Sequence, residues 1–146
     1  MELKELYQEI ILDHGKNPRN FGKCKDFTSD AKGHNPLCGD KVHIYANLSD
    51  NKKILDISFE GEGCAISLAS ASILTDIIKG QEFNVAKNIT NNFLNLIKEN
   101  KLITVNSLND NQKTTLMSLS GVKDFPMRVK CATMAWHTLS SVLEKK

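Results

Sequence analysis

Val42-His43-Ile44-Tyr45-Ala46-Asn47-Leu48, then Ser49-Asp50-Asn51-Lys52-Lys53, then Leu55-Asp56-Ile57-Ser58-Phe59-Glu60: the fold turns on how this stretch is read. In the first run Val42, Ile44, Ala46 and Leu48 alternate with His43, Tyr45 and Asn47. In the last, Leu55, Ile57 and Phe59 alternate with Asp56, Ser58 and Glu60. A period of two puts successive side chains on opposite faces of a strand, so each run has one face to bury. Two such runs joined by five polar residues predict an antiparallel hairpin.

Upstream, Leu3, Leu6, Tyr7, Ile10 and Ile11 recur at the spacing of one helix face, and Pro18 ends the run. A turn-rich segment from Asn17 to Gly22 follows, and a weakly patterned third strand is expected within Asp26 to Lys32. Downstream the period becomes helical. Ala65 to Lys79 reads as a helix rich in Ala and Ser and stopped by Gly80. Asn84 to Glu99 reads as another. Ser107 with Asp110 suggests the start of a helix that runs to about Ser120 and closes at Gly121. Pro126 suits the first turn of a last helix carrying Val129, Ala132, Trp136, Leu139 and Val142. The Asn-rich span from Asn84 to Asn111 is the least sharply patterned and reads as biased composition. The expected class is α+β: a small antiparallel sheet of about three strands with helices mainly on one face.

A chain of 146 residues suits one domain, taken here as 1–146. A net charge of +2 gives no reason to expect nucleic acid or an anionic membrane surface as partner. No stretch approaches the roughly 18 consecutive apolar residues of a spanning helix. The start, Met-Glu-Leu-Lys-Glu-Leu-Tyr, has no apolar core of a secretory signal, so a cytoplasmic location is expected. In that reducing compartment the four cysteines read as metal ligands, redox groups or small buried hydrophobes rather than a disulfide framework.

Their positions allow a metal, although with no Cys-x-x-Cys pair the spacing is a weak signal and buried structural cysteines are the commoner case. Cys38 lies in Asn35-Pro36-Leu37-Cys38-Gly39-Asp40, just before the first strand, and Cys64 ends Gly61-Glu62-Gly63-Cys64, just after the second. Antiparallel pairing brings those two points to one end of the hairpin, so Cys38, Asp40 and Cys64 converge. A thiol at the start of a helix meets free amides and the positive end of the dipole, which favour thiolate. Tetrahedral zinc needs one more donor. Cys131 is the candidate, with Arg128 and Lys130 beside it to favour its thiolate. Cys24, between Lys23 and Lys25, reads as an incidental exposed thiol. His34 is the one histidine kept, as an outer-sphere partner. His43 falls on the wrong strand face and His137 on another side of its helix. Trp136 reads as core, and Asp13 and Glu62 as solvated carboxylates.

Several segments, in order, resemble a known family. They are Ile11-Leu12-Asp13-His14 with Asn17-Pro18-Arg19-Asn20, the Cys38-Gly39-Asp40 loop, Gly61-Glu62-Gly63-Cys64-Ala65-Ile66-Ser67 with Ala69-Ser70-Ala71-Ser72, and Arg128-Val129-Lys130-Cys131-Ala132 with Trp136. Together they resemble the IscU/NifU N-terminal family of iron–sulfur cluster assembly proteins. Lys130, where IscU-type members carry His, and a longer stretch between Cys64 and Cys131 are similar to its SufU branch. The resemblance implies an IscU-like fold with zinc held by Cys38, Asp40, Cys64 and Cys131. It implies a sulfurtransferase-type carrier that takes persulfide sulfur from a PLP-dependent, SufS-like cysteine desulfurase, with Cys38 as the thiol that leaves the metal. Downstream iron–sulfur assembly proteins are the implied recipients. The alternative is a scaffold on which a [2Fe–2S] cluster is built and transferred.

Overall fold

The computed structural model describes residues 2–144. In chain order it contains helix α1 (Leu3–Lys16), strands β1 (Ser29–Asn35), β2 (Asp40–Leu48) and β3 (Ile54–Glu62), and helices α2 (Ala65–Ile78), α3 (Phe83–Glu99) and α4 (Asp110–Leu119). Two short 3-10 segments, Ser120–Asp124 and Pro126–Arg128, lead into α5 (Val129–Glu144). The strands form one antiparallel sheet in the order β1-β2-β3.

The hairpin forms where the alternation places it, with one change of phase. Val42, Ile44, Ala46 and Leu48 are buried, as are Ile57 and Phe59, but Leu55 is exposed and Ile54 is buried in its place. The reason is a register shift at Asn47/Leu48, which pairs Leu48 with Ile54 and Asn47 with Asp56. A bulge leaves one residue unpaired and turns it outward. The third strand exists, at Ser29–Asn35, later than the sequence placed it.

Helices α2 and α5 cover one face of the sheet, and small residues let them approach closely. Ala69, Ser70, Ala71 and Ser72 are all buried on α2. The Ser70 hydroxyl donates to the Ala132 carbonyl (2.5 Å) and accepts from the Trp136 indole N–H (3.1 Å). Both buried polar groups are thereby satisfied at the centre of the core. Trp136 also meets Phe93 of α3 with ring centroids 4.6 Å apart.

The Asp13-His14 and Asn17-to-Asn20 segments fasten α1 and the turn after it to α2. The Arg19 amide donates to Ser72 Oγ (2.8 Å), and the same hydroxyl lies 2.8 Å from His14 Nδ1. Burial lowers the pKa of His14 and keeps it neutral, with Arg19 acting in the same direction. Asp13 pairs with Arg19 at 2.7 Å.

Helix α4 is opened by Asn109 rather than Ser107. The Asn109 side chain accepts from the Gln112 amide (2.8 Å) while Gln112 Oε1 accepts from the Asn109 amide (2.9 Å), a reciprocal capping box. Gly121 does not stop the chain; the helix tightens through it into the 3-10 segment. The asparagines of this region thus have structural work: Asn109 caps α4, Asn100 ends α3 at φ +59°, and Asn92 Oδ1 accepts from the Thr104 amide (2.8 Å). Cys24 is buried, not exposed, and that burial raises its pKa.

Candidate metal centre

Three chain segments meet at the end of the sheet where β2 begins and β3 finishes. Lys41 pairs with Glu62, so the loop carrying Cys38 and the turn carrying Cys64 are adjacent. The start of α5 packs over β1 and β2 and delivers Cys131 to the same point. Donor atoms of Cys38, Asp40 and Cys131 all lie within 4.8 Å of one another. The Cys38 and Cys131 sulfurs are 3.4 Å apart. Cys64 stands at the rim, its Sγ 4.0 Å from Asp40 Oδ2.

Asp40 is the fixed point. It is fully buried at 0% exposure, and its Oδ1 accepts from the Cys64 amide at 2.9 Å. Burial pushes this carboxyl up, yet the Cys64 amide, with help from Cys131, Ser67 and Asn35, outweighs it and holds the pKa below the ordinary value. The fit depends on Gly63: at φ +141° a side chain is strained, and a Cβ would run into the Asp40 carboxylate. Gly39, at φ +70°, makes the turn between Cys38 and Asp40.

The sulfurs differ in surroundings. Cys131 is buried; burial first, then Asp40 and the Cys38 and Cys64 thiols, push its pKa far up. A buried group of thiols around a carboxylate is costly to ionise without a cation, and a divalent metal would supply that charge. Cys38 is half-buried on its loop, with the Arg128 guanidinium 3.5 Å from Sγ. The neighbouring sulfurs, Cys131 first, raise the Arg128 pKa.

Two of the residues around the site differ from expectation. His34 is exposed and takes no part among the described residues; its neighbour Asn35 does. Asn35 is buried, with Nδ2 3.4 Å from Asp40 Oδ2 and 3.6 Å from Cys131 Sγ. Its only sequence signal was its place at the start of the Cys38 loop. Lys130, rather than facing the thiols, borders a groove beside β1. Trp136 is core, and Glu62 is exposed with a loose 3.9 Å approach to Lys41.

A three-stranded antiparallel sheet with a thiol–carboxylate cluster at one end, closed by its last helix, defines a class of small α+β domain built to present cysteines. The chain belongs to the family of NifU-like N-terminal domains, whose model matches residues 6–132. It is 38% identical to the zinc-dependent sulfurtransferase SufU of Bacillus subtilis (strain 168), over 99% of this chain and 93% of that protein. It is 32% identical to the iron–sulfur cluster assembly scaffold protein IscU of Streptococcus pyogenes serotype M1, over 99% of this chain and 86% of that one. Among solved structures it resembles an iron–sulfur cluster assembly scaffold protein for the SUF system from Fervidobacterium islandicum AW-1. That likeness has a TM-score of 0.81 at 32% identity and covers 95% of this chain and 97% of the other. No helix among the described residues is long and apolar enough to cross a membrane.

Proposed function

We propose that this protein is a zinc-dependent sulfur acceptor in iron–sulfur cluster assembly, with Cys38, Asp40, Cys64 and Cys131 as the zinc ligands and Cys38 as the sulfur-accepting thiol. The observation that carries this reading is the asymmetry of the cluster. Asp40 and Cys131 are buried, whereas Cys38 is half-buried on a glycine-hinged loop with a guanidinium 3.5 Å away. Zinc bound there would keep the thiols deprotonated at neutral pH. The resemblance to a protein named as a zinc-dependent sulfurtransferase supports the same reading.

The chemistry is one thiol exchange. The Cys38 thiolate attacks the terminal sulfur of a cysteine persulfide on the donor. The donor's sulfur–sulfur bond breaks, its cysteine leaves as thiolate, and Cys38 becomes the persulfide. Arg128 is placed to balance the negative charge on Cys38 before and after transfer. The donor is a PLP-dependent cysteine desulfurase of the SufS kind, the recipients are downstream assembly proteins, and the cytoplasm keeps the thiols reduced.

The test pairs metal analysis of anaerobically purified protein with a cysteine desulfurase assay. One zinc per chain, and stimulation that Cys38→Ser abolishes, is the expected result. Full stimulation by Cys38→Ser would remove Cys38 from its role. A zinc-free protein that takes up iron and sulfide, with the visible absorption of a [2Fe–2S] cluster, would favour the scaffold reading that the IscU relatives suggest.

A further inference from the structure

The two edges of the sheet are finished differently. Along β3, the Gly22 amide donates to the Phe59 carbonyl (2.7 Å) and the Phe59 amide to the Asn20 carbonyl (3.1 Å). At the other end of the strand, the Ile54 amide donates to the Gln81 carbonyl (2.9 Å) and the Gly80 amide to the Ile54 carbonyl (2.8 Å). Flanking chain thus caps β3 at two places. The outer edge of β1 receives no such backbone bond among the described residues. An open edge offers a row of amides and carbonyls to any extended chain that fits beside it.

What fits is decided by the groove along that edge. Helix α5 comes close to β1 because Gly33 has no side chain: a Cβ there would run into Thr138 Oγ1 and lie 3.2 Å from Met134 Cγ. Between strand and helix runs a groove of about 430 Å³, bordered by Lys32 and His34 on β1 and by Lys130, Thr133, His137 and Ser141 on α5. The helix residues recur at three- and four-residue spacing, so they form one stripe parallel to the edge. Among the described residues no carboxylate lines this groove, although the chain carries 17 Asp and Glu against 19 Lys and Arg. Neither Lys32 nor Lys130 is in an ion pair among the described residues.

We propose that the open edge of β1 is a strand-addition site for an extended acidic segment of a partner protein, seated in the groove between β1 and α5. Main-chain bonds to Ser29–Asn35 supply the pairing, and Lys32 and Lys130 select carboxylates on the incoming strand. The groove lining includes Asn35, which touches Asp40 and Cys131, so a segment bound here reaches the edge of the candidate metal centre. The inference goes beyond the sulfur-carrier reading and does not depend on it, since neither sulfur nor metal enters the contact.

The experiment titrates isotope-labelled full-length protein with a short capped Glu-Val peptide whose carboxylates fall on both faces of the extended strand, so that both Lys32 and Lys130 can be met. Three parallel titrations use a Lys-Val peptide, a Glu-Val peptide with N-methylated backbone, and inorganic phosphate. With the first peptide, amide shifts confined to 29–36 and 130–141 and slowed hydrogen exchange in β1 are expected. The double variant Lys32→Glu/Lys130→Glu should weaken binding by about tenfold or more. No shifts, shifts elsewhere, or equal binding of the N-methylated or basic peptide would each overturn strand addition. The same shifts with phosphate alone would make this a small-anion site and overturn it too. If the double variant fails to fold, the N-methylated peptide on the native chain still decides.

Discussion

Asn35 shows how much of the site lies outside its proposed ligands. Its amide faces both Asp40 and Cys131, and it is buried at 4% exposure, so bulk water is not at hand to replace its bonds. Groups that orient ligands in this way are worth about 10- to 100-fold in metal affinity. Asn35→Ala should therefore weaken zinc binding by about that factor in a chelator competition, with the fold retained. An unchanged affinity would show that Asn35 does not position the ligands. Asp40 and Cys64 were legible in the sequence because a hairpin of alternating residues forces its two ends together. Cys131 was not, because its arrival depends on how α5 packs over β1 and β2. Asn35 was hidden for another reason: a buried amide leaves no periodic or motif signal, whereas the histidine next to it drew attention by its chemistry alone.

At the level of elements, α1 is held by a buried imidazole. His14 has a pKa lowered from 6.5 chiefly by burial, with Arg19 lowering it further and Asp13 and Asp76 opposing. The unfolded chain therefore binds a proton that the folded chain refuses, in the window below the ordinary value. Stability from this group is full above about pH 6.5 and is lost as pH falls from there towards the lowered folded value. Unfolding free energy should fall as pH drops below about 6.5, and His14→Asn should flatten that slope. Helix α4 gives a second test. Its capping box predicts a loss of about 0.5–2 kcal/mol for Asn109→Ala in denaturant unfolding, and no comparable loss for Ser107→Ala. Ser107 drew attention because serine is a common cap. A cap is fixed by which residue sits in extended geometry before the first turn, and here that is Asn109 (φ −78°, ψ 172°). The exposed Leu55 has a similar lesson, since a bulge changes strand phase without altering the local alternation.

For the whole molecule, the helices and the sheet share one hub. Trp136 of α5 is fully buried, bonds Ser70 of α2 and stacks near Phe93 of α3. Trp136→Ala should cost about 3–5 kcal/mol in equilibrium unfolding, a substantial part of the roughly 5–15 kcal/mol that holds a typical domain folded. The class of fold was legible because period two and period 3.6 are local signals; they marked the β2–β3 hairpin and the helices, whereas β1, weakly patterned, lies later than the sequence placed it. Which helix reaches which strand is a property of packing and had to be seen.

The uncapped edge of β1 has one further consequence, for encounters between copies of the same chain. In a two-fold antiparallel pairing of Ser29–Asn35 with its own copy, the central residue, Lys32, faces itself. Asp30, which would meet His34, is already bonded to His43 at 2.6 Å. Like charges opposed across two strands are destabilising, so the edge rejects its own kind while remaining available to an acidic stranger. Lys32→Val should lift that rejection, and sedimentation should then show more concentration-dependent association than the native chain shows under the same conditions. A single lysine at the midpoint of a strand is in this sense a solubility device, one that guards the molecule against sheet-to-sheet self-association at the concentrations of a crowded cell.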